Sequence, residues 1–95
     1  MKKQGKKDIE LSQHAREMLR ERKISEEWLR RALEEVDRVE RGPDGNLHYI
    51  KAIPEHGGRF LRVIVRPDTQ PPRIITLFFD RRLRRREGED EAQDR

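Results

Sequence analysis

From Arg59 to Asp80 the chain reads RFLRVIVRPDTQPPRIITLFFD, two apolar runs on either side of a proline-bracketed turn. In the first run Leu61, Val63 and Val65 alternate with Phe60, Arg62, Ile64 and Arg66. A period of two sends these two sets to opposite faces of a strand. The second run, Arg73 to Asp80, carries the segment IITLFF, which is apolar on both faces. The connection Pro67–Pro72 is short and stiff, so the two runs are expected to pair as an antiparallel hairpin. A third strand, Leu47 to Ile53, precedes them across the PEHGG turn at Pro54 to Gly58. Short connections make a meander of the three.

Ahead of the meander the apolar period changes to that of a helix. Ser12 suits an N-cap, and Ala15, Met18 and Leu19 follow at helical spacing with Arg16, Glu17, Arg20 and Glu21 outside. This helix is expected to stop near Lys23. Ser25 caps a second, with Glu26 and Glu27 in its first turn and Ile24 placed to staple onto Leu29. Trp28, Leu29, Ala32, Leu33, Val36 and Val39 form one stripe, which predicts a helix running to Val39 or Glu40. Gly42-Pro43-Asp44-Gly45-Asn46 then ends it.

The fold expected is α+β: two N-terminal helices packed on a three- or four-stranded antiparallel meander sheet. Asp8–Leu11 is a candidate short N-terminal strand. In a simple meander the apolar third strand lies at an edge, which is a liability unless covered. The Asp8–Leu11 segment, the arginine run folded back, or a second molecule would each cover it. The last option makes a homodimer through the third strand an expected partner.

The 95 residues suffice for one small domain, placed at 8–86. Residues 1–7, with Lys2, Lys3, Lys6 and Lys7, read as a basic tail, and 87–95 (EGEDEAQDR) as an acidic one. The absence of cysteine excludes a disulfide framework and thiolate metal sites. His14, His48 and His56 have no metal-ligand spacing, so neither a metal nor another cofactor is expected. No apolar run approaches the roughly 20 residues of a membrane span. A cytoplasmic protein without membrane contact is the expectation.

Net charge is +4, and seventeen of the 23 basic residues are arginine. The planar guanidinium fork pairs with phosphate and stacks on bases. Arg81, Arg82, Arg84, Arg85 and Arg86 make the densest positive field and should attract RNA in a salt-dependent way. Alternatively, the acidic tail that follows neutralises them within the molecule. Arg62 and Arg66, flanked by Phe60 and Ile64 on one strand face, suit a phosphate with a stacked base. Otherwise that is an ordinary solvated face. Tyr49 is assigned to the core, and His48 and His56 to the surface.

Ser12-Gln13-His14-Ala15, then Arg22 through Ile24-Ser25, then Tyr49 and the strands LRVIV and IITLF, fall in a familiar order. The order resembles a small bacterial family of unknown function with the pattern S-x-H-A, R-x-I-S and a meander ending in I-T. That family is related to BrnT and RelE type toxins of toxin–antitoxin pairs, within the barnase/colicin/RelE-like fold group. The chain departs from it at Met18, where the family often has an arginine. The resemblance implies a metal-independent ribonuclease acting on messenger RNA and neutralised by an antitoxin protein. His14 would be its acid–base group, and Arg22 would join Phe60, Arg62, Arg66 and the Arg81–Arg86 run in binding RNA. The alternative is a non-catalytic module of the same fold that binds RNA, ribosome or protein.

Overall fold

The computed structural model describes residues 9–83. Both charged tails and Arg84, Arg85 and Arg86 lie outside the described residues. In chain order the elements are β1 (Glu10–Leu11), α1 (Gln13–Glu21), α2 (Glu26–Glu34), β2 (Arg38–Arg41), β3 (Leu47–Ile53), β4 (Arg59–Arg66) and β5 (Arg73–Phe79). A single 3-10 turn, Pro54–His56, joins β3 to β4. The strands form one five-stranded sheet in the order β1-β5-β4-β3-β2.

This is a small α+β fold, but the sheet is mixed rather than an all-antiparallel meander behind two helices. Two findings correct the expectation. The candidate N-terminal strand is the first element of the described residues, but it pairs with β5 in parallel, setting Glu10 beside Arg73 and Leu11 beside Ile74. The third meander strand is therefore covered over its first residues and is not the outermost strand on that side. The second helix also ends early. The Glu35 backbone leaves helical geometry (φ −126°, ψ 39°), and Arg38–Arg41 runs as a strand antiparallel to β3. Val36, Asp37 and Val39 are all poor helix formers, and only the spacing of the two valines imitated a helical stripe. The Gly42–Asn46 turn thus connects two strands, closed by Gly42 N–H to Asn46 O (2.9 Å) and by Asp44 Oδ1 accepting from Asn46 N–H (3.0 Å).

Serine caps start both helices. Ser12 Oγ accepts from Ala15 N–H at 3.0 Å and Ser25 Oγ from Trp28 N–H at 3.0 Å. Ser12 has a second task, donating its hydroxyl to Ile75 O at 3.2 Å, so one side chain ties the first helix to the last strand. Between the helices Lys23 takes φ 55°, and Ile24 N–H returns to Leu19 O at 2.9 Å. This is the left-handed exit that lets a chain reverse without losing its last carbonyls.

Both helices lie on one face of the sheet, α1 over β5 and α2 over β3 and β4. Leu61, Val63, Val65, Ile74 and Leu77 meet Ala15, Ile24, Leu29 and Ala32 there in one fully buried core. Tyr49 packs against that core. The opposite face has no helix over it among the described residues. It is formed by Phe60, Arg62 and Ile64 of β4, with His48 and Ile50 of β3, Thr76 and Phe78 of β5, and Arg38 and Glu40 of β2 opposite them. Among the described residues no helix is long and apolar enough to cross a membrane.

Candidate functional site on the open sheet face

The open face is built around a charge that strand alternation alone would leave in water. Arg62 is only 9% exposed, and Asp80, one residue past β5, is 3% exposed. Arg62 Nε donates to Asp80 Oδ2 at 2.8 Å, and its Nη1 donates to His48 Nδ1 at 2.8 Å. Glu40 Oε1 stands 3.8 Å from the same Nη1. Strand register explains the meeting. Arg62 is directly opposite Ile50 and Phe78, and Asp80 N–H donates to Phe60 O (2.9 Å), which draws the carboxylate back over β4.

A guanidinium can only donate, so Nδ1 of His48 is the acceptor and the ring proton sits on Nε2. Nε2 is buried and has no hydrogen-bond partner among the described residues, and the Asp44 carboxylate lies 3.9 Å from it. The ring fits because residue 42 is glycine: a Cβ there would come within 2.6 Å of His48 Nε2. His48 is thus held by Arg62 at Nδ1 and enclosed at Nε2, and is not the plain surface residue its strand position suggested.

Asp80 has a second cation. The Arg82 side chain, 81% exposed, reaches back through Nε to Oδ1 (3.1 Å) and through Nη2 to Oδ2 (3.2 Å), while Arg82 N–H donates to Oδ1 (3.0 Å). The Arg82 side-chain bonds, its backbone N–H and then Arg62 lower the Asp80 carboxyl from 3.8 to about 2, against the opposing effect of burial. A carboxyl lowered on folding stabilises the fold above its unfolded value and loses that contribution as pH falls towards the folded one. Asp80 is therefore expected to contribute about 2 kcal/mol that disappears between pH 3.8 and about 2. Glu27 and Glu55 titrate at about 2 as well, held down by Arg30 and Arg31 and by Arg31 respectively. These two are surface pairs, which salt screens. Melting temperatures followed through this pH range should fall in both low and 1 M salt, with the salt-resistant part missing in Asp80→Asn.

The sequence-derived site residues are divided among several places. His14 is exposed in the first turn of α1, on the helix-covered side, so the sheet stands between it and Arg62. Arg22 is exposed at the end of α1, with its Nε 3.3 Å from Met18 Sδ. Phe60 is half-buried on the open face. Arg66 is exposed at the end of β4 and pairs with Asp68 at 3.1 Å. Arg81 and Arg82 are exposed beside Asp80, and Arg84, Arg85 and Arg86 fall outside the described residues. The face thus brings together Phe60, Arg62 and Arg82 with two groups that sequence reasoning missed, His48 and Asp80. The only signal for them was parity: His48 and Arg62 occupy strand positions of matching face once the register is known, and Asp80 follows β5 in step with Phe78.

On the other side of the sheet a groove of about 850 Å³ runs between α2 and β1, lined by Ile9, Leu11, Leu29, Leu33, Tyr49 and Ile74 among others. His56 stacks on Phe79, ring centroids 4.3 Å apart, beside Trp28. Among the described residues no group of three His, Asp or Glu side chains is placed to hold a metal ion.

No curated protein and no solved structure matches the chain. Residues 11–79, which run from β1 to the end of β5, match the family described as a domain of unknown function, DUF4258, and the chain belongs to that family.

Proposed function

We propose that the protein binds single-stranded RNA across the open face of its sheet, as a recognition module. The observation that supports this most is the arrangement around Arg62. Phe60 and Phe78 lie on the same face beside it, half-buried, with Arg38, Arg66, Arg81 and Arg82 exposed around them. Aromatic rings on an uncovered sheet offer stacking surface, and the surrounding arginines offer phosphate contacts. Arg62 itself is committed to Asp80 and His48, so it fixes the face rather than reaching outward.

Fluorescence anisotropy with a labelled single-stranded RNA tests this. Affinity is expected to fall steeply between 50 mM and 200 mM salt. Changing Arg38, Arg66 and Arg81 together to glutamine should flatten the slope by about 2, at roughly 0.7 for each phosphate no longer neutralised. Binding that does not change with salt would remove the proposal.

One observation favours a second reading, metal-independent cleavage in the manner of BrnT and RelE toxins with an antitoxin as partner. A histidine stands 2.8 Å from an arginine on the RNA-facing side, but it is His48 and not His14. Sizing the RNA recovered from the binding experiment distinguishes the two readings. Fragments that disappear in His48→Asn support cleavage, and intact RNA supports binding alone.

A further inference from the structure

The last strand of the sheet on one side is β2, and it is unlike the last strand on the other. At the far side β1 is two residues long and pairs β5 only at Arg73 and Ile74. β2 is four residues long, every one of them exposed, and among the described residues nothing pairs with its outer side. Its Val39 is 46% exposed, the one large hydrophobic side chain so exposed among the described residues. Outer strands usually carry charge to discourage pairing with other chains. Here the charges do the opposite for one partner.

Residues 37–41 read Asp-Arg-Val-Glu-Arg. When a second copy pairs antiparallel about Val39, Arg38 falls opposite Glu40 and Val39 opposite itself, with Arg41 opposite Asp37, which lies just outside β2 and is held in its own chain by Ala52 N–H (2.8 Å) and Lys51 Nζ (3.4 Å). Every charged residue in the segment meets its opposite. Shifting the register by one in either direction sets Arg38 against Arg41, or Asp37 against Glu40. Centring on Arg38 or Glu40 sets that residue against its own copy. Like charges directly opposite are destabilising and unlike ones stabilising, so the sequence selects one register. We infer that β2 is a homodimerisation strand, joining two five-stranded sheets edge to edge about a two-fold axis at Val39. The Arg38–Glu40 ion pair within one strand (3.1 Å) is between exposed side chains and exchanges for the intermolecular one at little cost. Arg38 belongs to the open face as well, but the inference rests on the outer edge of β2 and not on RNA binding.

The chain has no cysteine, so Val39→Cys places a single thiol on the two-fold axis. Cα atoms directly opposite in an antiparallel pair are about 4.5–5.5 Å apart, within disulfide range. Under mild oxidation V39C is expected to give a covalent dimer at least about tenfold faster than D68C, a control in the exposed β4–β5 turn. Adding R38E or E40R to V39C makes like charges meet and should abolish the cross-link in each variant alone. Mixing the two restores opposite charges, and the mixed dimer should form. That rescue also shows that the single variants remain folded. Equal rates for V39C and D68C, or cross-linking indifferent to R38E and E40R, would overturn the inference. Should a charge variant fail to fold, sedimentation of the unmodified chain decides: a mass of 11.5 kDa at every concentration overturns it, and a rise towards twice that value upholds it.

Discussion

Arg62→Leu is expected to destabilise the protein by about 3 kcal/mol, the lower end of what breaking a buried ion pair costs. The penalty comes from what is left behind. Asp80 stays buried at 3% exposure with its charge, and His48 Nδ1 loses its donor. Arg82 still pairs with Asp80, which is why the lower end applies, although its side chain is largely in water. For a domain of this size the destabilisation corresponds to a melting point lower by roughly 15 °C. The paired change Arg62→Met with Asp80→Leu should cost less than Arg62→Leu alone, since replacing both charges leaves none uncompensated. Urea denaturation of the variants measures this. A single variant no worse than the double would mean that Asp80 needs only Arg82.

Leu61→Ala should cost about 2–5 kcal/mol, enough to leave a small domain only marginally folded. Leu61 is fully buried at the middle of the sheet, opposite Lys51 on β3 and Phe79 on β5. The cavity cannot close by collapse of the helices, because Ala15 and Ala32 already bring α1 and α2 against the sheet with the smallest side chains. Neighbouring Ile64, half-buried on the open face, is the control: Ile64→Ala should cost less than half as much. Unfolding measured by circular dichroism reads both. Equal destabilisation would mean that the open face is as well packed as the core.

Where local signals decide structure, the sequence was explicit. Two serines followed by helical stripes placed both helix starts within a residue, alternation placed β3 and β4, and an apolar run after a proline-rich turn placed β5. The errors occurred where a partner far along the chain decides. β2 carries one apolar residue and is wholly exposed, so no burial pattern marks it, and a Val36–Val39 spacing of three fits a helix as well. Whether two residues at Glu10–Leu11 pair parallel or antiparallel is a matter of hydrogen bonds with Arg73 and Ile74, invisible in either segment alone. The site suffered in the same way. Alternation put Arg62 on the face away from the helices, where it read as an outward phosphate contact. Nothing local says that Asp80 returns across β4 or that a glycine at 42 opens a space for His48. His14 looked like the chemical histidine because of its neighbours in a motif, but position on the far side of the sheet separates it from Arg62.

The bond from Ser12 to Ile75 spans 63 residues and fastens the beginning of the domain to its end. A ribosome makes Ile75 63 residues after Ser12, at about 5–20 residues per second, so for several seconds α1 has no strand to rest on. The hairpins β2–β3, β3–β4 and β4–β5 need only near neighbours and can close as they emerge, whereas β1 must wait. The earliest strand of the sheet is then the last to dock. The domain behaves as a meander closed by an N-terminal clasp, whose opening would uncover the start of β5 while leaving the antiparallel strands, and the Arg62–Asp80 pair that spans them, in place.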